Sequence, residues 1–163
     1  SGRVYYVSAP AILGKRAGKA RDFIEANPGL RHSLSLARQA DVLVVGLGSL
    51  ESDQLYTQAG LIDPAELDML RGRAVGDICG RFFDRQGREI VTPFADRTIG
   101  IDLHDVRETQ VRIGVAGGED KVEPILGALR GEYINVLVSD EITVRRLIAL
   151  VAHEHEEVVK RES

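Results

Sequence analysis

VRIGVAGGEDKVEPILGALRG, residues 111–131, decides the fold. VRIGV has the length and apolar character of a strand, and Gly117 and Gly118 close it. A short helix, KVEPILGALRG, follows at 121–131 and stops at Gly131. Pro124 is tolerable there because it falls in the first turn, where its missing N–H costs nothing. Strand, glycine turn and helix together form half of a β-α-β unit. AGGEDK (116–121) is then either a loop that holds an anion or a tight turn.

The neighbouring segments repeat the pattern. DVLVVGLG (41–48) is a continuous apolar run bounded by Asp and Gly, which reads as a strand buried on both faces. YINVLVSDE (133–141) is another buried strand. Ser139 or Asp140 caps a last helix over 142–159, with Val144, Leu147, Ile148 and Val151 on one face. Upstream, RVYYV (3–7) reads as a strand closed by Pro10, with Tyr5 and Tyr6 in strand packing. Residues 14–26 carry Ala17, Ala20, Phe23 and Ile24 at helical spacing, and NPG (27–29) stops them. LRHSLSLARQA (30–40) is a second amphipathic helix. In DPAEL (63–67) Asp63 caps, Pro64 suits the first helical position, and Glu66 completes a capping box. RAVGDICGRFFDRQGREIV (73–91) reads as an antiparallel hairpin turning at DRQG (84–87). The expected fold is α/β: a mostly parallel sheet flanked by helices, with one small hairpin around 73–91.

The chain's 163 residues, 44% of them hydrophobic, suffice for one sizeable core and hence a single domain over 1–163. The net charge is −4, and Lys and Arg are spread without a basic run, which argues against gripping DNA or an anionic membrane. The longest apolar stretches are of strand length and no charged-then-apolar leader opens the chain, so neither a membrane span nor a signal peptide is expected. Cys79 is the single cysteine, which excludes an internal disulfide and fits a cytoplasmic, reducing setting. In its apolar segment Cys79 is expected to be buried and inert. The strand-like VYYV almost at the first residue suggests a piece of something longer.

In an open α/β sheet, ligands bind beyond the carboxyl ends of the strands. Three stretches qualify: GLGS (46–49), AGGEDK (116–121) and SDE (139–141). Glycines admit a ligand close to the backbone, a helix start favours an anion, and Lys121 could add a mobile positive charge. GLGSLE does not complete G-x-G-x-x-G, because Glu51 takes the last position, and no phosphate-loop motif of the G-x-x-x-x-G-K-[ST] type is present. Gly117 and Gly118 alone read as turn glycines, and Lys121 alone as a solvated first-turn lysine. Asp77 in VGDICG is an acid in a strand-like segment, either exposed at an edge or turned toward something polar such as a sugar hydroxyl. His153 and His155 lie two apart and share no helical face, and His104 with Asp102 and Asp105 offers too few ligands, so no metal site is expected. No cofactor motif is present either. Ser49 and Ser139 have no evident histidine base nearby.

Taken together, ADVLVVGLGSL, RAVGDICGRFFDRQG and VRIGVAGGEDKVEPILGALRGEYINVLVSDEITVRRLI resemble the C-terminal sugar-binding domain of the SorC-type bacterial transcriptional regulators. The order and spacing of GxGS, GD-x-x-GRFFD-x-x-G, AGG-x-x-K, I-x-GALRG and INVLVSDE-x-T carry the resemblance, and SAP at 8–10 suits it. It implies a Rossmann-like domain, similar to the phosphosugar isomerases in fold, that senses a phosphorylated sugar instead of converting it. It implies Asp77 facing the sugar, Lys121 near a phosphate, Gly117 and Gly118 in the preceding turn, and Gly46, Gly48 and Ser49 in the strand-end loop. Asp140 matches the acid before the last helix. A homo-oligomer, dimer or tetramer, is implied, with operator DNA contacted only through an N-terminal helix-turn-helix domain. That domain, and the strand and glycine-rich phosphate loop that the family places before the position of Arg3, are not in this sequence, and Val144 replaces a usually small residue. A phosphosugar isomerase on the same fold is the alternative. It needs a base and an acid at adjacent sugar carbons, and the isomerase patterns, a glycine-rich run with its own lysine and D-G-A-D-E, are absent.

Overall fold

The computed structural model of the protein describes residues 2–50, 60 and 62–162. In chain order its elements are α1 (Ala20–Ala26), α2 (Pro28–Arg38), β1 (Val42–Gly46), β2 (Gly48–Ser49), α3 (Pro64–Asp68), β3 (Gly76–Ile78), β4 (Arg81–Phe83), β5 (Glu89–Ile90), α4 (Leu103–Glu108), β6 (Val111–Val115), α5 (Val122–Arg130), β7 (Val136–Val138) and α6 (Glu141–Glu162). Single 3-10 turns lie at Ala95–Arg97 and Glu119–Lys121.

The chain alternates as its apolar runs predict, and two sheets result. β1, β6 and β7 form a parallel sheet in the order β1-β6-β7, with Val44 opposite Ile113 and Ile113 opposite Val136. β2, β3, β4 and β5 form an antiparallel sheet in that order. Leu47 joins them, so GLGS carries the chain out of the parallel sheet and into the antiparallel one. Asp63 and Glu66 form the expected capping box on α3: Asp63 Oδ1 accepts from Ala65 N at 3.0 Å and Glu66 Oε2 from Asp63 N at 3.1 Å.

The region 73–91 makes two turns, where the sequence suggests one. DRQG does turn the chain between β4 and β5, with Asp84 Oδ1 accepting from Gln86 N and Arg88 N, both at 2.9 Å. The earlier turn is Cys79–Gly80, between β3 and β4, with φ of 53° and 76°. Both central residues are left-handed, as a two-residue hairpin of the I′ type requires. Cys79 is therefore exposed, contrary to the buried position its apolar surroundings suggest. Desolvation by the surrounding chain, then the charge of Asp77, raise its thiol pKa.

Other differences follow from partners that local patterns do not reveal. RVYYV forms no strand, and Val4 and Tyr6 are largely exposed. Strand propensity is realised against a neighbouring strand, and this segment has none among the described residues; Tyr5 rests edge-on to His32, ring centroids 5.3 Å apart. The first helix starts only at Ala20, since Gly18 is left-handed (φ 79°). NPG both ends α1 and starts α2, with Pro28 at the first helical position.

The side chains of β4 alternate between two cores. Phe83 joins Val45, Ile78, Ile125 and Ile134 in a cluster shared by both sheets and α5. Phe82 points the other way, to Ile12, Ile62, Leu67, Leu70 and Phe94, its ring edge-on to Phe94 at 5.8 Å. In the parallel sheet, Leu43, Val45 and Leu137 turn toward the shared cluster. The opposite face is open: Val42, Val44, Val115, Val136 and Val138 are exposed, so β1 and β7 are not buried on both faces as their sequences suggest. No helix among the described residues is long and apolar enough to cross a membrane.

The turn at Gly87 docks on the end of α5 through Tyr133. The buried Tyr133 hydroxyl donates to Gly87 O at 2.8 Å and lies 3.1 Å from Arg107 Nη2. Arg107 Nε donates to Gly131 O at 2.7 Å, and the guanidinium sits 4.6 Å over the Tyr133 ring. A Cβ on Gly87 or Gly131 would strike its neighbours, which explains both glycines. Tyr133→Phe leaves Gly87 O without that donor and should cost about 1–2 kcal/mol. A urea titration should move to a lower midpoint with an unchanged slope.

Candidate functional site

The carboxyl ends of β1 and β6 meet the antiparallel sheet at a tight seam. Gly48 pairs with Asp77, and Ser49 with Gly76. A Cβ on Gly76 would lie 2.8 Å from both Gly48 O and Pro124 Cβ, so only glycine lets the start of α5 close on β3. GLGS, VGDICG and the segment after AGGEDK, distant in sequence, are brought together here.

Beside the seam is a cavity of about 700 Å³, lined by Ser49, Leu50, Arg71, Glu119, Asp120 and Glu123 among others. Among the described residues its charged groups are three carboxylates and one guanidinium, a lining suited to a ligand rich in hydroxyls. Ser49 is buried. Glu51, next along the chain, lies outside the described residues. Gly46 ends β1 opposite Val115, and a Cβ there would meet open space, so no close approach demands a glycine.

Asp77 is 4% exposed and is not an edge acid. Its Oδ2 accepts from Gly80 N at 2.9 Å, bracing the Cys79–Gly80 turn. Lys121 closes the 3-10 turn before α5; its side chain is 19% exposed and its Nζ lies 3.5 Å from Asp120 Oδ2. It is drawn in against the protein, unlike the solvated lysine that its position alone suggests.

The Gly117–Gly118 turn is tied to the first turn of α6. Gly118 N donates to Thr143 Oγ1 at 2.8 Å and to Asp140 Oδ2 at 3.1 Å. Thr143 Oγ1 in turn donates to Asp140 Oδ2 at 2.6 Å, and Asp140 Oδ1 accepts from Thr143 N at 2.9 Å. Asp140, not Ser139, is thus the cap of α6. Gly117 has no room for a Cβ beside Asp140 Oδ2, and Gly118 has a φ of 117°, so each glycine has its own physical cause. Thr143 is 1% exposed; the sequence reading has it as the last residue of INVLVSDE-x-T but gives it no role at the site. Ser139 Oγ, at the end of β7, is buried with no hydrogen-bond partner among the described residues. His153 and His155 are exposed on the outer part of α6.

The hydrogen bond from the Thr143 hydroxyl, then those from the Thr143 and Gly118 amides, hold the Asp140 carboxyl below the ordinary aspartate range. A folded-state pKa below the unfolded one stabilises above the unfolded value, near 4, and that stability is lost as pH falls through the folded value. Asp140→Asn should therefore melt below wild type at pH 7, with the gap narrowing as pH falls below the ordinary aspartate range. A gap of equal size at pH 7 and below that range would show that the carboxylate charge plays no part.

Residues 1–149 match the family model described as "Putative sugar-binding domain". The deoxyribonucleoside regulator of Bacillus subtilis is 34% identical over 143 residues, 88% of this chain and 45% of that protein. The transcriptional regulator LsrR of Escherichia coli (strain SMS-3-5 / SECEC) is 41% identical over 144 residues, 85% of this chain and 45% of that protein. Among solved structures, the full-length sorbitol operon regulator SorC of Klebsiella pneumoniae superposes with a TM-score of 0.74 at 34% identity, covering 85% of this chain and 44% of that one. The chain spans about half the length of the curated relatives it matches. It belongs to the sugar-binding domain family of bacterial transcriptional regulators.

Proposed function

We propose that this chain is a ligand-sensing part of a bacterial transcription regulator, binding a phosphorylated sugar at the carboxyl ends of β1 and β6. The observation that carries the reading is the cavity at the seam, lined by Ser49, by Glu119 and Asp120 of the 3-10 turn, and by Glu123 and Pro124 at the start of α5. Its carboxylates suit sugar hydroxyls, and Lys121 supplies a cation at the turn before the helix. In this reading Asp77 faces the sugar, Lys121 takes the phosphate, and Gly46, Gly48, Ser49, Gly117 and Gly118 shape the surrounding backbone. Ligand binding changes the assembly of the regulator, a dimer or tetramer, and with it the affinity for operator DNA. The DNA contact belongs to a helix-turn-helix part of a longer cytoplasmic protein, since this chain has a net charge of −4. An isomerase is disfavoured because the named relatives are regulators. Turnover of ribose 5-phosphate by this chain would overturn the sensor reading.

Thermal melting against a panel of pentose and hexose phosphates and their free sugars tests the site. A ligand that binds only the folded state stabilises by about 2.7 kcal/mol at a hundredfold excess over its Kd. One phosphosugar should raise the midpoint, its free sugar should do less, and Lys121→Ala should lose the difference. A shift that survives in Lys121→Ala would move the phosphate elsewhere. In a gel-shift assay at physiological salt this chain alone should leave operator DNA unshifted.

A further inference from the structure

We infer that Thr143 is a positioning residue for the ligand loop, acting with Asp140 to hold the Gly117–Lys121 segment in its binding conformation. This rests on the proposed site. Thr143 is not among the described residues that line the cavity; what it holds is the backbone that leads into one. Its hydroxyl closes a triangle with Gly118 N and Asp140 Oδ2. It accepts from Gly118 N at 2.8 Å and donates to Asp140 Oδ2 at 2.6 Å, so the Gly118 amide is tied to the start of α6. The hydroxyl also lies 3.3 Å from Gly118 O, which fixes both polar groups of that one residue. A second tie runs parallel to the first: Arg146, one turn further along α6, pairs with Glu119. Glu119 lines the cavity and opens the 3-10 turn that ends at Lys121.

The arrangement assigns Asp140 a role as well. Both of its carboxylate oxygens are engaged, Oδ1 by Thr143 N and Oδ2 by the Thr143 hydroxyl and Gly118 N. It orients the loop from behind and is not among the residues that line the cavity. Gly118 N is likewise committed to α6, so it is not the amide that meets an anion. Only a side chain carrying a hydroxyl at Thr143 can both accept from Gly118 and donate to Asp140. Valine matches the shape and removes both bonds; serine keeps them.

The test compares Thr143→Val and Thr143→Ser with wild type in two measurements. One is solvent exchange at the Gly118 amide, read by NMR. The other is the Kd of the phosphosugar that shifts the wild-type melt, taken well below each variant's own melting point. Thr143→Val should speed Gly118 exchange and weaken the ligand by tenfold or more, while Thr143→Ser stays within about threefold on both. The role is overturned if Thr143→Val frees the amide but binds as wild type does, or if Thr143→Ser is as weak as Thr143→Val. A wild-type chain that answers to no phosphosugar would instead bring down the ligand reading itself, while unchanged Gly118 exchange in Thr143→Val would sink the clamp alone.

Discussion

Gly76 is the point on which the two sheets turn. No side chain fits there, because Gly48 O and Pro124 Cβ both lie where a Cβ would have to be. That contact presses β3 against the start of α5, and α5 follows directly from the parallel strand β6. The antiparallel sheet is thereby fixed at the carboxyl end of the parallel one, where loops and helix N-termini already gather. A larger residue at Gly76 would push α5 off the sheet, opening the shared cluster around Ile78, Phe83 and Ile125. The cavity beside the seam exists because three backbones approach this closely.

The open face of the parallel sheet shows how far local sequence can speak. Val42, Val44, Val111, Ile113, Val115, Val136 and Val138 share that face with Gly46, and none of these residues is polar. Such a run signals a strand covered on both sides. What it encodes is a surface suited to cover; whether a cover is present depends on residues elsewhere. Here five of the valines are exposed. The strands and the helices α5 and α6 were legible because each rests on neighbours within a few positions; the order β1-β6-β7 was not, since it joins segments far apart in the chain. RVYYV failed for the complementary reason, since its strand character has no adjacent strand to pair with. Cys79 failed because nothing in its residue type announces a left-handed turn.

The candidate site divides along the same line. Gly117, Gly118 and Lys121 could be read from strand, glycines and helix in succession. That Asp140 reaches back to Gly118 across 22 positions could not, because the bond exists only once β6 and β7 lie side by side. Thr143 was hidden for this reason too. A capping acid followed three residues later by a hydroxyl is a common helix start. Only the fold turns that hydroxyl toward a second loop. The two glycines show how one motif can have two causes, a clash with Asp140 at Gly117 and a backbone angle at Gly118.

An acidic cavity is at first sight a poor host for an anion, and the pairing of its carboxylates resolves the difficulty. Glu119 pairs with Arg146, Asp120 with Lys121, and Glu123 with Arg85 at 2.8 Å. Each negative group on the wall brings its own cation, so the field a ligand meets is far weaker than a count of acids implies. These pairs are partly or wholly open to solvent, where an ion pair is worth little and is easily exchanged. A phosphate arriving at Lys121 would compete with Asp120 for the same ammonium and offer it the stronger charge. Under the proposed function, a phosphate would thus be met by an exchange of partners at Lys121, at a turn that Thr143 and Asp140 keep in place from behind.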